Sequence, residues 1–324
     1  CTAAGCPLEN RIGGSYTITA PDNLTYDGNG KAATVTGSIP GVTEPTITYK
    51  KGDTTLGSAP TDVGKYTASI TLGEGENAKT ASVEYSIEKA SLEYTVPTGL
   101  TAKYGQTLAD ISLPTGWAWE DGTQSVGSVG EHTFKATYTP GDANYHAVTG
   151  IDVTVTVNKA PVTIQIAGAP TEKTYGDADF TVTAANGVTE STGNNGKWTW
   201  TSSDSNILEI TSGANTATPT IKVKKADTTG ATLTVTYSSI THYGTANVTI
   251  KVNKKDATIT GLSADDKEYD RSTSATPTGT AVIDGKVGSD DVTVTAGTAS
   301  FDNENVGTDK TVTFTGYSLS GADA

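Results

Sequence analysis

VTVTVNKAPVTI, residues 153–164, reads as a strand, a three-residue stop and another strand. Val153, Val155 and Val157 alternate with Thr154 and Thr156, and a period of two with one apolar side marks a half-buried strand. Nearly the same phrase occurs twice more, as EYSIEKASLEY at 84–94 and TIKVNKKDATI at 249–259. The junction lysines, Lys89, Lys159 and Lys254, are 70 and 95 residues apart. Those lengths suit small two-sheet sandwiches, which need about seven short strands and ~100 residues or fewer. The recurring stop then marks where the last strand of one sandwich runs into the first of the next. A three-residue linker cannot act as a flexible coil, so neighbours are expected end to end with restricted freedom, as a semi-stiff rod. The spacing predicts a leader at 1–15 and four repeats at 16–90, 91–160, 161–255 and 256–324.

Composition agrees with strands throughout. Thr dominates with 61 residues, Tyr contributes 14, and Met is absent. Thr, Val and Tyr suit a pleated, half-buried surface. Runs of Leu, Met and Glu at helical spacing are missing, so the predicted fold class is all-β. Net charge is −14, which argues against a nucleic-acid partner because phosphate binding needs clustered Lys and Arg. The acid is uneven: 256–324 holds 12 Asp+Glu against 4 Lys+Arg, whereas 161–255 holds 7 against 8. Such a surface keeps an exported protein soluble, with cation binding as the alternative.

No stretch approaches the ~18 apolar residues of a membrane span, so no transmembrane segment is expected. No signal peptide or initiating Met is present, and the chain is expected to be an internal or processed piece of something longer. Cys1 and Cys6 both lie in the leader. A bridge between them or a lipidated Cys1 would affect only a tail, so each core must hold by packing alone.

Other features recur inside the repeats. Each has an early tyrosine turn: Tyr26-Asp27-Gly28, Tyr104-Gly105, Tyr175-Gly176-Asp177 and Tyr269-Asp270. Gly and Asp tolerate the left-handed backbone of tight turns. Three repeats carry Val-Gly, a few polar residues and an alternating strand: DVGKYTASI at 62–70, SVGEHTFKATY at 128–138 and NVGTDKTVTF at 305–314. The last repeat has no V-x-V-N-K strand after Leu319, and it is expected to be open there, the least stable repeat, and ready to accept a strand from a partner.

These residues resemble a known group of bacterial immunoglobulin-like surface repeats. KYGQTLADISLPTGWAW (103–119), VGEHTFKATYTPGDANYHAVTGIDVTVTVNKA (129–160) and KTYGDADFTVT (173–183) look like the MBG type. LTYDGNGKAATVTG (24–37) and APTDVGKYTASITL (59–72) are similar to related repeats, and WTWTSSDSNILEI (198–210) to another bacterial class. The fourth repeat resembles the YDG type through KEYDRSTSATPTGTAVI (267–283), ASFDNENVGTDKTVTFTG (299–316) and YSLSGADA (317–324), with Arg271 where Gly is usual. The resemblance implies tandem immunoglobulin-like β-sandwiches in a large exported protein, where such repeats form stalks and adhesive surfaces. It supplies no catalytic residues and no cofactor. Nor does any residue trio in the sequence identify the Lys–Asn isopeptide cross-link common in Gram-positive adhesins.

Four tryptophans form two pairs, Trp117/Trp119 and Trp198/Trp200, each on one face of a strand. They offer a sugar-stacking patch or a core anchor, and a sandwich without cystines favours the anchor. His132, His146 and His242 have no Cys or His partner at metal spacing, and His146 and His242 read as turn residues. Asp302, Asn303, Glu304 and Asp309 supply oxygen ligands for a calcium ion, though not at EF-hand spacing. No G-x-S-x-G elbow, P-loop or H-E-x-x-H occurs, so no enzyme activity is expected. The chain therefore reads as a non-catalytic stalk segment at a bacterial surface. The rival readings are a module that binds a host glycan or protein, and an accessory region of an exported enzyme.

Overall fold

The computed structural model describes residues 6–10, 14–189 and 196–324. Cys1 and the question of its bridge to Cys6 lie outside the described residues. The described chain is an all-β tandem array of small immunoglobulin-like sandwiches, and its only helical turns are short, at Gly75–Asn77 and Leu108–Asp110. It divides into two compact units, Cys1–Asn158 and Lys159–Ala324.

The first unit contains two sets of sheets. Cys6–Asn10, Gly14–Thr19 and Thr34–Ser38 form one sheet, and Thr54–Leu56, Thr48–Lys51, Gly64–Leu72 and Lys79–Ile87 form a second, in that order. Alternation along Gly64–Leu72 and Lys79–Ile87 turns Tyr66, Ala68, Ile70, Val83, Tyr85 and Ile87 into one core, together with Ile18. The following sheet runs Leu100–Lys103, Val148–Asn158, Gly130–Tyr138, Trp117–Trp119. Val153, Val155 and Val157 are 0%, 0% and 1% exposed, while Thr154 lies on the solvent side. Phe134 and Ala136 of the partner strand are buried on the same face.

In the second unit, Ala160–Pro161, His242–Asn253, Asp227–Ser238 and Lys197–Ser202 form a sheet, and Glu172–Thr174 also pairs with His242–Asn253. Phe180–Thr181, Thr220–Val223 and Leu208–Ser212 form the facing sheet. Leu208, Ile221, Leu233, Val235 and Ile250 fill the space between them. Because Ala160 pairs with His242, the pairing of the third repeat already starts at the alanine with which the sequence reading ends the second.

One connection rule runs through three of the repeats. The closing strand lies antiparallel to the strand that follows the Val-Gly turn or its equivalent, Gly64–Leu72, Gly130–Tyr138 or Asp227–Ser238. It also lies parallel to the backbone beside the early tyrosine turn, through Thr25↔Glu88, Leu100↔Val155 and Glu172↔Lys251. In 256–324 the equivalent strand, Val312–Thr315, pairs with Thr298–Phe301 on one side only. Only Ala275 and Ala299 are buried hydrophobics there. Arg271 takes the left-handed backbone, φ +63°, where the resemblance expects Gly, and Asp270 Oδ1 supports the turn by accepting the Ser272 N–H at 2.9 Å.

Candidate functional site

The two tryptophan pairs differ in what surrounds them. Trp200 is 3% exposed, and its indole Nε1 donates to the Thr216 carbonyl at 3.1 Å. Trp198 is half-buried and packs on Tyr237 with ring centres 4.7 Å apart. Trp119 donates from Nε1 to the Ile111 carbonyl at 3.1 Å and meets Phe134 edge-on. A buried indole needs such a partner for its N–H, and both find a backbone carbonyl. Trp117 sits opposite Tyr138 across the strand pair and also touches Tyr94, with centroids 5.2 and 5.7 Å away. These three rings line a groove of about 520 Å³ with Glu93, Thr95 and Thr115. The alternation of the sequence puts Tyr138 on one face with Phe134 and Ala136, but the sequence reading joins neither Tyr138 nor Tyr94 to the tryptophan pair.

The histidines serve backbone geometry. His132 Nε2 lies 2.7 Å from the Ser128 carbonyl across the Val-Gly turn. His242 Nδ1 lies 2.8 Å from Thr241 Oγ1, at the first residue of a closing strand rather than inside a turn. The His146 N–H donates to the Ala90 carbonyl at 2.9 Å.

Among the proposed calcium ligands, Asp302 and the neighbouring Asn303 are brought together around an internal cation instead. Lys310 Nζ lies 3.1 Å from Asp302 Oδ1 and 2.7 Å from Asn303 Oδ1. That hydrogen bond from Lys310 holds the Asp302 carboxyl below the usual carboxylate range. Among the described residues no group of three or more His, Cys, Asp or Glu is placed to hold a metal ion. Above this loop lies a cleft of about 510 Å³ whose walls include Lys267, Tyr269, Phe301, Val306, Lys310 and Val312.

The junction lysines have a structural task. Lys89 Nζ donates to the Tyr145 carbonyl at 3.3 Å. Beside it, the Ala90 N–H donates to the Asn144 carbonyl at 3.1 Å, and Ala90 forms a parallel bridge with Tyr145. The second unit repeats the pattern. Lys159 Nζ bonds Ser238 Oγ at 3.0 Å, and the Ala160 and Val162 N–H groups donate to the Thr241 and Tyr243 carbonyls, each at 2.8 Å. Each Lys-Ala pair is thus tied to the turn that precedes the closing strand of the repeat that follows it.

The YDG domain family matches residues 253–324. No match was found among curated proteins. Among solved structures, the chain is similar to domains 4 and 5 of the S-layer protein SbsC, with 19% identity over 44% of this chain and 82% of that one and a TM-score of 0.20. It is similar to the fibronectin(III)-like modules of Clostridium thermocellum CbhA, with 12% identity over 74% and 94% and a TM-score of 0.22. It is also similar to the human Desmocollin-1 ectodomain, with 13% identity over 92% and 70% and a TM-score of 0.24. No helix of the described residues is long and apolar enough to cross a membrane.

Proposed function

We propose that the chain is a non-catalytic spacer in a bacterial cell-surface or secreted protein, where it supports adhesion. Its parts are an immunoglobulin-like repeat at 16–90, an MBG-like repeat at 91–160, an MBG or bacterial immunoglobulin-like repeat at 161–255, and a YDG-like repeat at 256–324. The observation that carries this reading is the first junction. Strand Lys79–Ile87 ends three residues before Ala90, whose backbone is already hydrogen-bonded into the next sheet's turn. With so few residues between sandwiches, the chain has almost no linker in which to bend. A spacer gains from that, whereas an enzyme or a single receptor site has no need of it.

The aromatic groove at Trp117 supports a second reading, in which the 91–160 repeat binds a host glycan or protein. The unpaired side of strand Val312–Thr315 supports a strand-donating partner for the last repeat. Antibodies against the purified chain should label intact cells of the producing bacterium; labelling only after lysis overturns the surface assignment. Replacing 16–324 with an unrelated array of equal repeat number should preserve adhesion. If adhesion is lost and Trp117→Ala alone reproduces the loss, the binding reading replaces the spacer.

A further inference from the structure

Two of the four early tyrosine turns lie against a following repeat within the same compact unit, and the two contacts share a plan. In the first unit, the Tyr26 ring meets Tyr145 edge-on with centroids 5.4 Å apart. Its hydroxyl points to Asp142 Oδ2 at 3.4 Å, long for an O–H···O bond. Asn144, two residues on, grips the neighbouring loop with both ends of its amide. Its Oδ1 accepts the Val63 N–H at 2.8 Å and its Nδ2 donates to Asp62 Oδ1 at 3.1 Å. Contacts therefore reach from one turn of the 91–160 repeat, 142–145, to two loops of the 16–90 repeat.

In the second unit, the Tyr175 hydroxyl donates to Asp290 Oδ1 at 2.7 Å. Asp291, beside it, is held by the turn at the end of 256–324. Its N–H donates to Asp323 Oδ2 at 2.7 Å, and its carbonyl accepts the Asp323 N–H at 3.1 Å. Gly176 allows the approach: a Cβ there would stand 2.6 Å from Val287 Cγ2, and the residue's φ of +85° is one that other side chains rarely adopt. The aspartate that each tyrosine meets follows a glycine closely, in Gly141-Asp142 and in Gly288-Ser289-Asp290.

We propose that the early tyrosine turn is a socket for the acidic turn of the repeat that follows it, and that this contact sets the angle at the joint. Neighbouring domains move relative to one another by default unless a sizeable interface holds them. Three backbone residues at a junction limit bending but leave rotation about the chain. A tyrosine hydroxyl and an aspartate placed off that axis remove the remaining freedom. The partner of the surface is thus a second repeat whose facing turn carries an aspartate, Asp142 in the first unit and Asp290 in the second. The inference rests on the reading of the chain as tandem repeats.

The test uses the full chain with Cys1→Ser and Cys6→Ser, spin-labelled in pairs at Asp53→Cys with Glu131→Cys, or at Lys222→Cys with Thr313→Cys. Electron–electron distance distributions are measured with and without the socket. Tyr26→Phe combined with Asn144→Ala should broaden the first distribution roughly twofold, and Tyr175→Phe combined with Asp290→Ala the second, as more joint angles become populated. Amide exchange at Val155 and Ile250 should stay slow in both variants. Unchanged distributions overturn the socket while leaving the tandem reading intact. Broadening accompanied by loss of core protection means that joint and repeats are one cooperative body, which overturns the tandem reading and the socket with it.

Discussion

Trp200 shows how a single residue replaces a cystine in these sandwiches. It is buried to 3%, bonded through Nε1 to the Thr216 carbonyl, and paired across the sheet with Val235. Emptying a large aromatic site costs about 3–5 kcal/mol, and Trp200→Ala is expected to fall in that range. A domain has only about 5–15 kcal/mol in total, so this one change should bring the 161–255 core close to unfolding, as followed by urea denaturation. Tyr175 gives a test of a different kind. Its hydrogen bond to Asp290, together with burial and the charges of Asp290 and Asp323, pushes its pKa up to about 12. The other charged groups at this turn are Asp177, Lys173 and Lys255. Because the folded value lies above the ordinary 10.0, the stabilisation is complete below pH 10 and is lost as pH rises through about 12. Ultraviolet difference absorbance of tyrosinate should show a late-titrating tyrosine that moves back toward pH 10 in Asp290→Ala and disappears in Tyr175→Phe.

At the scale of the element, strand Val312–Thr315 stands apart from its counterparts. Gly64–Leu72, Gly130–Tyr138 and Asp227–Ser238 each have a strand on both sides, whereas Val312–Thr315 has a partner on one side. An unpaired strand edge leaves N–H groups exchanging with water. Amides on that edge are expected to exchange far faster than those of Gly130–Tyr138. Equal protection in the two strands would mean that the last sandwich closes by a route the pairing does not contain. The sequence reading expects an open strand in this repeat, because it finds no V-x-V-N-K phrase after Leu319. What stayed illegible was the filling of the nearby acidic loop. Lys310 lies seven residues from Asn303 and turns back onto it, so the oxygens of Asp302 and Asn303, two of the four calcium candidates, are met by an ammonium group from the same chain.

At the scale of the whole molecule, stability is divided among separate cores. Buried clusters centre on Ile70 and Ile87, on Val153 to Val157, and on Leu233 and Ile250, and none is centred in 256–324. Separate cores melt separately unless their contacts are strong. Calorimetry is therefore expected to resolve more than one transition. A reductant should leave the transitions of these cores where they are, since no cysteine occurs after Cys6. A single transition shifted by reductant would contradict both statements. The sequence by itself determined what depends on neighbours along the chain: the all-β class and the inward side of strands with clear alternation, such as Val153 to Val157. Alternation is a local code, and Val153, Val155 and Val157 carry it whatever lies opposite. Only the tertiary structure decided which distant groups meet. Tyr26 and Asp142 are 116 residues apart, and Trp117 faces Tyr138 because one strand register puts it there. Register and joint contacts arise from packing between separate segments, and a shift of one residue would send each of those side chains to the other face.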